Sequence, residues 1–344
     1  MEFKTKKYPK EDGMRNITKA MKNIFRPFRN IMFTFFDLLY DFRRFYKYGG
    51  WRDSLNDSAQ RNYKVAKAYH SLEKSLSFPH RKRGSGWSAV EKIIRLLNGI
   101  KSNEVIGFQE KVSISVLEDF LNEEKDEDSL HKSAKENSVN LINKFHSEHS
   151  NVGGVKIYGV NDLKRGVLEN PENFFFSRSS VRDFSDEAVD NSQVCRAISL
   201  AQKTPSVCNR QSSHVYQISD SLLIEKALRY QNGNRGFGQK IPCLLIVTSD
   251  LKAFDVSGER YQHTIDGGMF SMSLVMAFHS IGLSTCCLNW SSTGWNDLKL
   301  RNLIDIKPEH TVIMMLAVGH PREEIKVCVS ERRPFSEIYT HLKE

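Results

Sequence analysis

Near Asn151-Val152-Gly153-Gly154 the chain changes texture, and that change limits its possible folds more than any single motif. Before it, apolar residues recur at three- and four-residue spacings, the period of helices with one buried face. After it, short β-branched runs alternate with helical stretches. His214–Ile218, Leu244–Thr248 and Thr311–Val318 read as strands, and about 190–203, 220–230 and 265–281 as helices. The expectation is an all-helical N-terminal extension over residues 1–150 and an α+β domain over 160–344. A length of 344 residues, beyond the usual size of one domain, agrees with that division.

Residues 1–13 are polar and expected to be disordered. A basic amphipathic arm follows over about 14–47, with Ile17, Met21, Ile24, Phe28, Ile31, Phe35, Leu38, Leu39, Phe42 and Phe45 at helical spacing and a break predicted at Pro27. Twelve Lys and Arg against five acids in residues 1–50 supply seven of the nine net positive charges. Charge this local, interleaved with core-type aromatics and without a nucleic-acid fold motif, argues against nucleic-acid binding. Two readings of the arm stay open: peripheral contact with an anionic membrane surface, or packing on a partner domain or subunit. Ile31–Tyr40 is broken by Asp37 and is about half the length that spans a bilayer.

Further helices are expected at about 58–78 and 88–97, with two more over 107–147 flanking the acidic loop Asn122–Asp128. The basic loop His80–Gly86 reads either as a solvated turn or as backbone N–H groups open to an anion. No signal peptide is recognisable, so a cytoplasmic location is expected, at the inner face of the membrane if the arm binds lipid. All six cysteines lie in the C-terminal half, several inside apolar runs, and without a C-x-x-C spacing. They read as reduced core residues, and no metal ligand set is assigned.

The candidate site begins at Arg178-Ser179-Ser180-Val181-Arg182, where two guanidiniums flank the Ser180 hydroxyl. Arginine is a permanent cation whose planar fork grips phosphates and carbonyl oxygens in pairs. Thr204-Pro205-Ser206-Val207-Cys208-Asn209-Arg210-Gln211 then places short polar groups in a turn between a helix and a strand. Gly233-Asn234-Arg235-Gly236-Phe237-Gly238 suits close backbone approach to a flat ligand. Residues 265–281 are apolar around most of the helix, which implies burial in a core or an interface, and they stop at Gly282. Arg332-Arg333-Pro334 lies near the C-terminus.

The order and spacing of these pieces over about 170–340 resemble the nitroreductase family of FMN-dependent oxidoreductases. The resemblance implies a central mixed sheet wrapped by helices, in a homodimer with FMN at the interface. It implies Arg178 and Arg332 on the FMN phosphate, Ser180 and Arg182 along the ribityl chain and the N1/O2 edge, and Asn234 on the pyrimidine edge. Pro205, Ser206 and Asn209 would come from the other subunit. NAD(P)H would be the electron donor and a small molecule the acceptor, with no catalytic acid or base required, because the protein's task is positioning. Where many members carry Pro-x-Glu-Gly, this chain has Cys287-Leu288-Asn289-Trp290. Trp290 therefore either shapes or blocks the pocket, and a flavin-holding scaffold or sensor with a protein partner is the alternative function. Pro-Ser-Val-Cys-Asn-Arg-Gln, Leu-Asn-Trp and Leu72-Glu73-Lys74 resemble a subgroup from bacterial surface-polysaccharide loci, which implies a sugar, a sugar nucleotide or a lipid-linked intermediate as substrate.

Overall fold

The computed structural model describes residues 10–52, 55–82, 84–124, 131–145 and 153–342. The polar N-terminus before Lys10, Arg83 of the basic loop, most of the acidic loop and Asn151-Val152 lie outside the described residues, as do the side chains of Ile17, Met21 and Ile24. The first helix, α1 (Lys10–Tyr48), runs unbroken through Pro27. The break predicted there is absent, although proline lacks the N–H that would bond four residues back. Helical turns on both sides carry the chain across that one missing bond.

Four helices follow: α2 (Ser58–Ser77), α3 (Trp87–Leu97), α4 (Phe108–Glu123) and α5 (Lys132–Lys144). They enclose their own core of Tyr69, Leu72, Ile93, Leu97, Ile114 and Phe120. Inside it Arg61 is fully buried and bonds Glu110 at 2.5 Å and Glu104 at 2.7 Å. Glu110 also accepts the Gly107 N–H at 2.6 Å, capping α4. The guanidinium thus joins α2 to the start of α4.

Two short helices, α6 (Val160–Lys164) and α7 (Pro171–Ser177), lead to α8 (Asn191–Ala201), β1 (Ser213–Ile218), α9 (Ser221–Leu228) and β2 (Cys243–Asp250). Then come α10 (Gln262–Ser280), β3 (Ser284–Asn289), α11 (Gly294–Leu303) and β4 (His310–Gly319). The strands form one antiparallel sheet in the order β1-β2-β4-β3. Among the described residues the parallel pairing is the isolated bridge Ser180–Thr285. Every residue of β2 is buried, and its side chains alternate between two cores. Leu245 and Val247 join α8 and α10 through Val194, Leu274 and Phe278, whereas Leu244 and Ile246 join α9 and α11 through Ile224 and Leu300.

Helix α10 ends as its sequence indicates. Gly282 has φ +83°, its N–H bonds the His279 carbonyl, and the Leu283 N–H bonds that of Phe278. The chain then enters β3, a strand absent from the sequence-based expectation. Only part of α10 is covered: Phe270, Leu274 and Phe278 are buried, but Ile265, Met269 and Met272 are exposed.

The end of α1 docks on the sheet side. The Tyr40 hydroxyl donates to Asp297 at 2.6 Å, Asp37 accepts the Gly294 N–H at 2.9 Å, and Arg44 donates to the His310 carbonyl at 2.9 Å. Burial, with Asp297 beside it, pushes the Tyr40 phenol up to about 12. His263 lies at this junction between Phe45 and Phe254, and its Nδ1 has no hydrogen-bond partner among the described residues. Burial, helped by the Arg44 charge, holds its imidazole down to about 4. The unfolded chain, with an ordinary histidine near ~6.5, binds the extra proton first. This residue's stabilising share is therefore complete above about pH 6.5 and falls as pH drops toward 4, by at most ~1.4 kcal/mol per pH unit. His263→Phe is expected to remove that part of the slope in urea unfolding curves measured between pH 4 and 7, while leaving the stability at pH 7 equal or higher.

Candidate functional site

The arginine loop follows α7, and Arg178 itself caps that helix. The loop is tied to the sheet by the Val181 N–H bonding the Thr285 carbonyl at 3.0 Å, and by the burial of Val181 and Phe184 in the core. Ser180 is therefore pinned beside β3. Arg178 is half-buried and lines a cavity of about 310 Å³ with His279, Gly282, Ser284 and Thr285. Arg182 is exposed, and its guanidinium lies 3.7 Å from Cys328 Sγ. The two cations address different thiols: Arg178 opposes the burial-driven rise at Cys287, and Arg182 opposes that at Cys286. Burial still wins at both, so both thiols titrate above their ordinary range. Among the described residues, no carboxylate forms an ion pair with Arg178 or Arg182.

The Pro205–Gln211 turn is held in a demanding backbone conformation. Cys208, Asn209 and Gln211 all have positive φ, at 49°, 51° and 53°. Non-glycine residues adopt that region only where surrounding contacts require it. The Val207 N–H donates to Asp266 at 3.1 Å, and the Gln211 N–H donates to Ser206 Oγ at 2.9 Å. Arg210 is buried, bonds Glu259 at 2.6 Å and the Ala253 carbonyl, and stacks 5.3 Å from the Phe254 ring centre. The motif alone assigns Arg210 no role, because its carboxylate partner stands 49 positions later. Pro205 and Ser206 line a cavity of about 270 Å³ with Gln202, Gln211, His214 and Asp266. Asn209 accepts from Gln211 Nε2 at 3.2 Å, within its own turn.

The other expected residues stand apart from these two groups. Asn234 donates through its amide nitrogen to the Leu228 and Gln231 carbonyls, both at 2.8 Å, so its NH2 closes the end of α9. It lines a cavity of about 370 Å³ with Arg235, Gly236 and Lys240. Arg332 lies on an exposed tail and donates to the Ser330 carbonyl of that tail. Trp290 is partly buried against the sheet core, with its indole N–H donating to Asp297 at 3.1 Å. That bond turns the indole toward α11 and the groove beside α1. A single chain thus presents the residues as separate pieces: Arg178, Ser180 and Arg182 beside β3, and Pro205, Ser206 and Asn209 beyond β1.

Comparison with known proteins bears on both of these pieces. The model described as "Nitroreductase family" matches residues 176–232, from the arginine loop to the end of α9. No curated protein matches the chain. Among solved structures, NfrA2 of B. megaterium is similar at 21% identity and a TM-score of 0.44, over 52% of this chain and 76% of that one. An FMN-dependent nitroreductase from Clostridium difficile is similar at 16% identity and a TM-score of 0.43, over 50% of this chain and 99% of that one. A nitroreductase family protein from Streptococcus pneumoniae is similar at 18% identity and a TM-score of 0.43, over 49% of this chain and 98% of that one. In sequence, the stretch from the arginine loop through α9 is nitroreductase-like.

Proposed function

We propose that the chain is an FMN-dependent oxidoreductase that works as a homodimer. The observation that carries this reading is the pair of guanidiniums, Arg178 and Arg182, without carboxylate partners among the described residues, on a loop fixed to β3 inside the nitroreductase-like stretch. The residues present fit the cofactor. A phosphate dianion suits unpaired arginines, and the Gly282–Ser284 backbone leaves a cavity beside Arg178. Arg178, with Arg332 from the tail, would hold the phosphate. Ser180 and Arg182 would hold the ribityl chain and the N1/O2 edge, where positive charge raises the reduction potential. When bound, FMN supplies hydride acceptance at N5 and hydride delivery to a second substrate, with NAD(P)H as the donor. The protein contributes position rather than proton transfer, so no side chain is assigned an acid or base role.

The dimer is supported by what one chain leaves uncovered. Ile265, Met269 and Met272 of α10 face outward, and the tail exposes Val329, Phe335, Ile338 and Leu342. An apolar surface of this kind on a buried-type helix suits a second copy. A second chain would also bring its Pro205, Ser206 and Asn209 to the arginine loop of the first. The purified protein is expected to be yellow, with the absorption bands of oxidised flavin. Arg178→Ala is expected to weaken FMN binding about 10–150-fold, the loss of one charge-assisted hydrogen bond. A colourless protein that rejects added FMN would overturn the reading. Retained FMN that neither NADH nor NADPH bleaches would make the chain a flavin-holding scaffold instead.

The arm is part of this proposal as a membrane contact. Asp37, Tyr40 and Arg44 on one face of α1 dock against the protein. Phe28, Ile31, Met32, Phe35 and Phe42 lie on the opposite face and stay exposed, with Arg29 and Arg43 beside them. A helix with this distribution suits the interface of an anionic bilayer. That location in turn favours a lipid-linked, sugar-containing substrate of surface-polysaccharide synthesis. Sedimentation with vesicles containing phosphatidylglycerol is expected to carry down the wild type and release it at high salt. A double variant, Phe28→Ser with Phe35→Ser, is expected to stay in the supernatant; equal sedimentation of both proteins would remove the arm from membrane binding.

A further inference from the structure

We propose that His214, Asp250 and His310 form a binding site for one divalent transition-metal cation of the zinc class, at the junction between the helical extension and the sheet. His214 lies at the start of β1, Asp250 closes β2 and His310 opens β4. The antiparallel register sets these strand ends side by side, with Asp250 paired directly to His310 and His214 paired to Thr248. One ligand atom from each of the three residues lies within 4.8 Å of the other two. Asp250 and His310 are buried and His214 is half-buried. Two imidazoles and a carboxylate are the donor set of many three-ligand zinc sites.

The distances are those of a site ready to contract around a cation. His310 Nε2 is 3.9 Å from Asp250 Oδ2, too far for a hydrogen bond. Metal–ligand bonds of ~2.0–2.1 Å in a tetrahedron hold neighbouring ligand atoms about 3.3–3.4 Å apart. Closing that pair takes about 0.5 Å of side-chain movement, and a separation at the 4.8 Å limit of the three takes about 1.4 Å by the same geometry. The two imidazoles stack with ring centres 4.3 Å apart, inclined at 26°. One ring must therefore turn about its Cβ–Cγ bond to aim its lone pair at the cation. His214 has room to do so, because it lines the cavity of about 270 Å³ beside Ser206 and Gln211, which also gives the cation a path in.

Supporting groups surround the three. His310 Nδ1 is 2.8 Å from the Tyr216 hydroxyl and 3.3 Å from that of Thr248, which leaves Nε2 directed at Asp250. An outer partner of this kind fixes the orientation of a metal-binding histidine. Tyr63 of α2 donates to Asp250 Oδ2 at 3.1 Å and lies 3.4 Å from His214 Nε2, so it orients the carboxylate and ties the extension to the site. The neighbouring cation Lys252 is held by Asp57 at 2.9 Å and Glu309 at 3.2 Å, which offsets its repulsion of a metal.

The test uses tag-free full-length protein, first as isolated and then stripped with a chelator. Metal content is measured, followed by titration with Zn²⁺ and with Co²⁺ as a spectroscopic probe. The wild type is expected to take up one equivalent per chain, to show the visible absorption of low-symmetry Co²⁺, and to melt several degrees higher with Zn²⁺. Asp250→Asn and His214→Gln, which keep hydrogen-bonding side chains in place, are expected to lose the Co²⁺ signal and the Zn²⁺-dependent rise in melting temperature. Tyr216→Phe, removing an orienting contact, is expected to weaken the metal about 10–100-fold. Failure of the wild type to bind, or equal uptake by the two ligand variants, would reduce the cluster to a hydrogen-bonded joint. Flavin content, read in the same samples, reports separately on the oxidoreductase proposal.

Discussion

The complete burial of β2 governs the rest of the α+β part. A strand with apolar side chains on both faces needs cover on both, and the antiparallel pairing with β1 and β4 satisfies its backbone. Helices α8 and α10 cover one face, while α9, α11 and the Val181–Phe184 loop cover the other. Because β4 lies between β2 and β3, the strand β3 is left at an edge, and there the arginine loop attaches. The opposite edge, β1, meets the helical extension through Tyr63 and His214. Both polar sites discussed above are thus consequences of which strand edges the buried strand leaves available.

Two buried arginines show how the chain fixes polar geometry inside apolar surroundings. Arg61 and Arg210 each meet carboxylates and a backbone carbonyl, so the cost of removing the charge from water is offset by several directed bonds. Arg61 joins α2 to the start of α4. Arg210 holds the Pro205–Gln211 turn against the segment that leads into α10. The positive φ angles of that turn persist because Arg210, Asp266 and Ser206 each hold one side of it. By contrast, Arg178 and Arg182 have no carboxylate partner among the described residues, and Arg182 reaches only the Ser180 carbonyl at 3.5 Å and Cys328 Sγ at 3.7 Å.

Most elements were legible because their signals are local. Periodicity located α2 through α5, the glycine stop of α10 appeared where expected, and three strands stood out as β-branched runs. The strand β3 is not legible because Ser284–Asn289 opens with two polar residues, ends on asparagine and contains no Val or Ile, so it lacks the β-branched apolar run of β2. The helix passes through Pro27 because helical turns on either side offset the single hydrogen bond that proline cannot make. Of the candidate site, the arginine loop and the Pro205–Gln211 turn were visible as motifs. The engagement of Asn234 with the end of α9 and of Trp290 with Asp297 was not, because both depend on distant or bent-back acceptors.

By itself, the sequence determined the change from helical extension to α+β domain, the basic, apolar character of the arm and the residue types of the arginine loop. These follow from spacing and composition, which neighbouring residues set together. Only the tertiary structure decided which face of α1 docks, because Asp37, Tyr40 and Arg44 find partners more than 250 residues away. It likewise decided that His214, Asp250 and His310 meet, since strand register converts three distant positions into adjacent ones. Contacts across strands and between helices carry no local periodicity, and so they become legible only when the chain is folded.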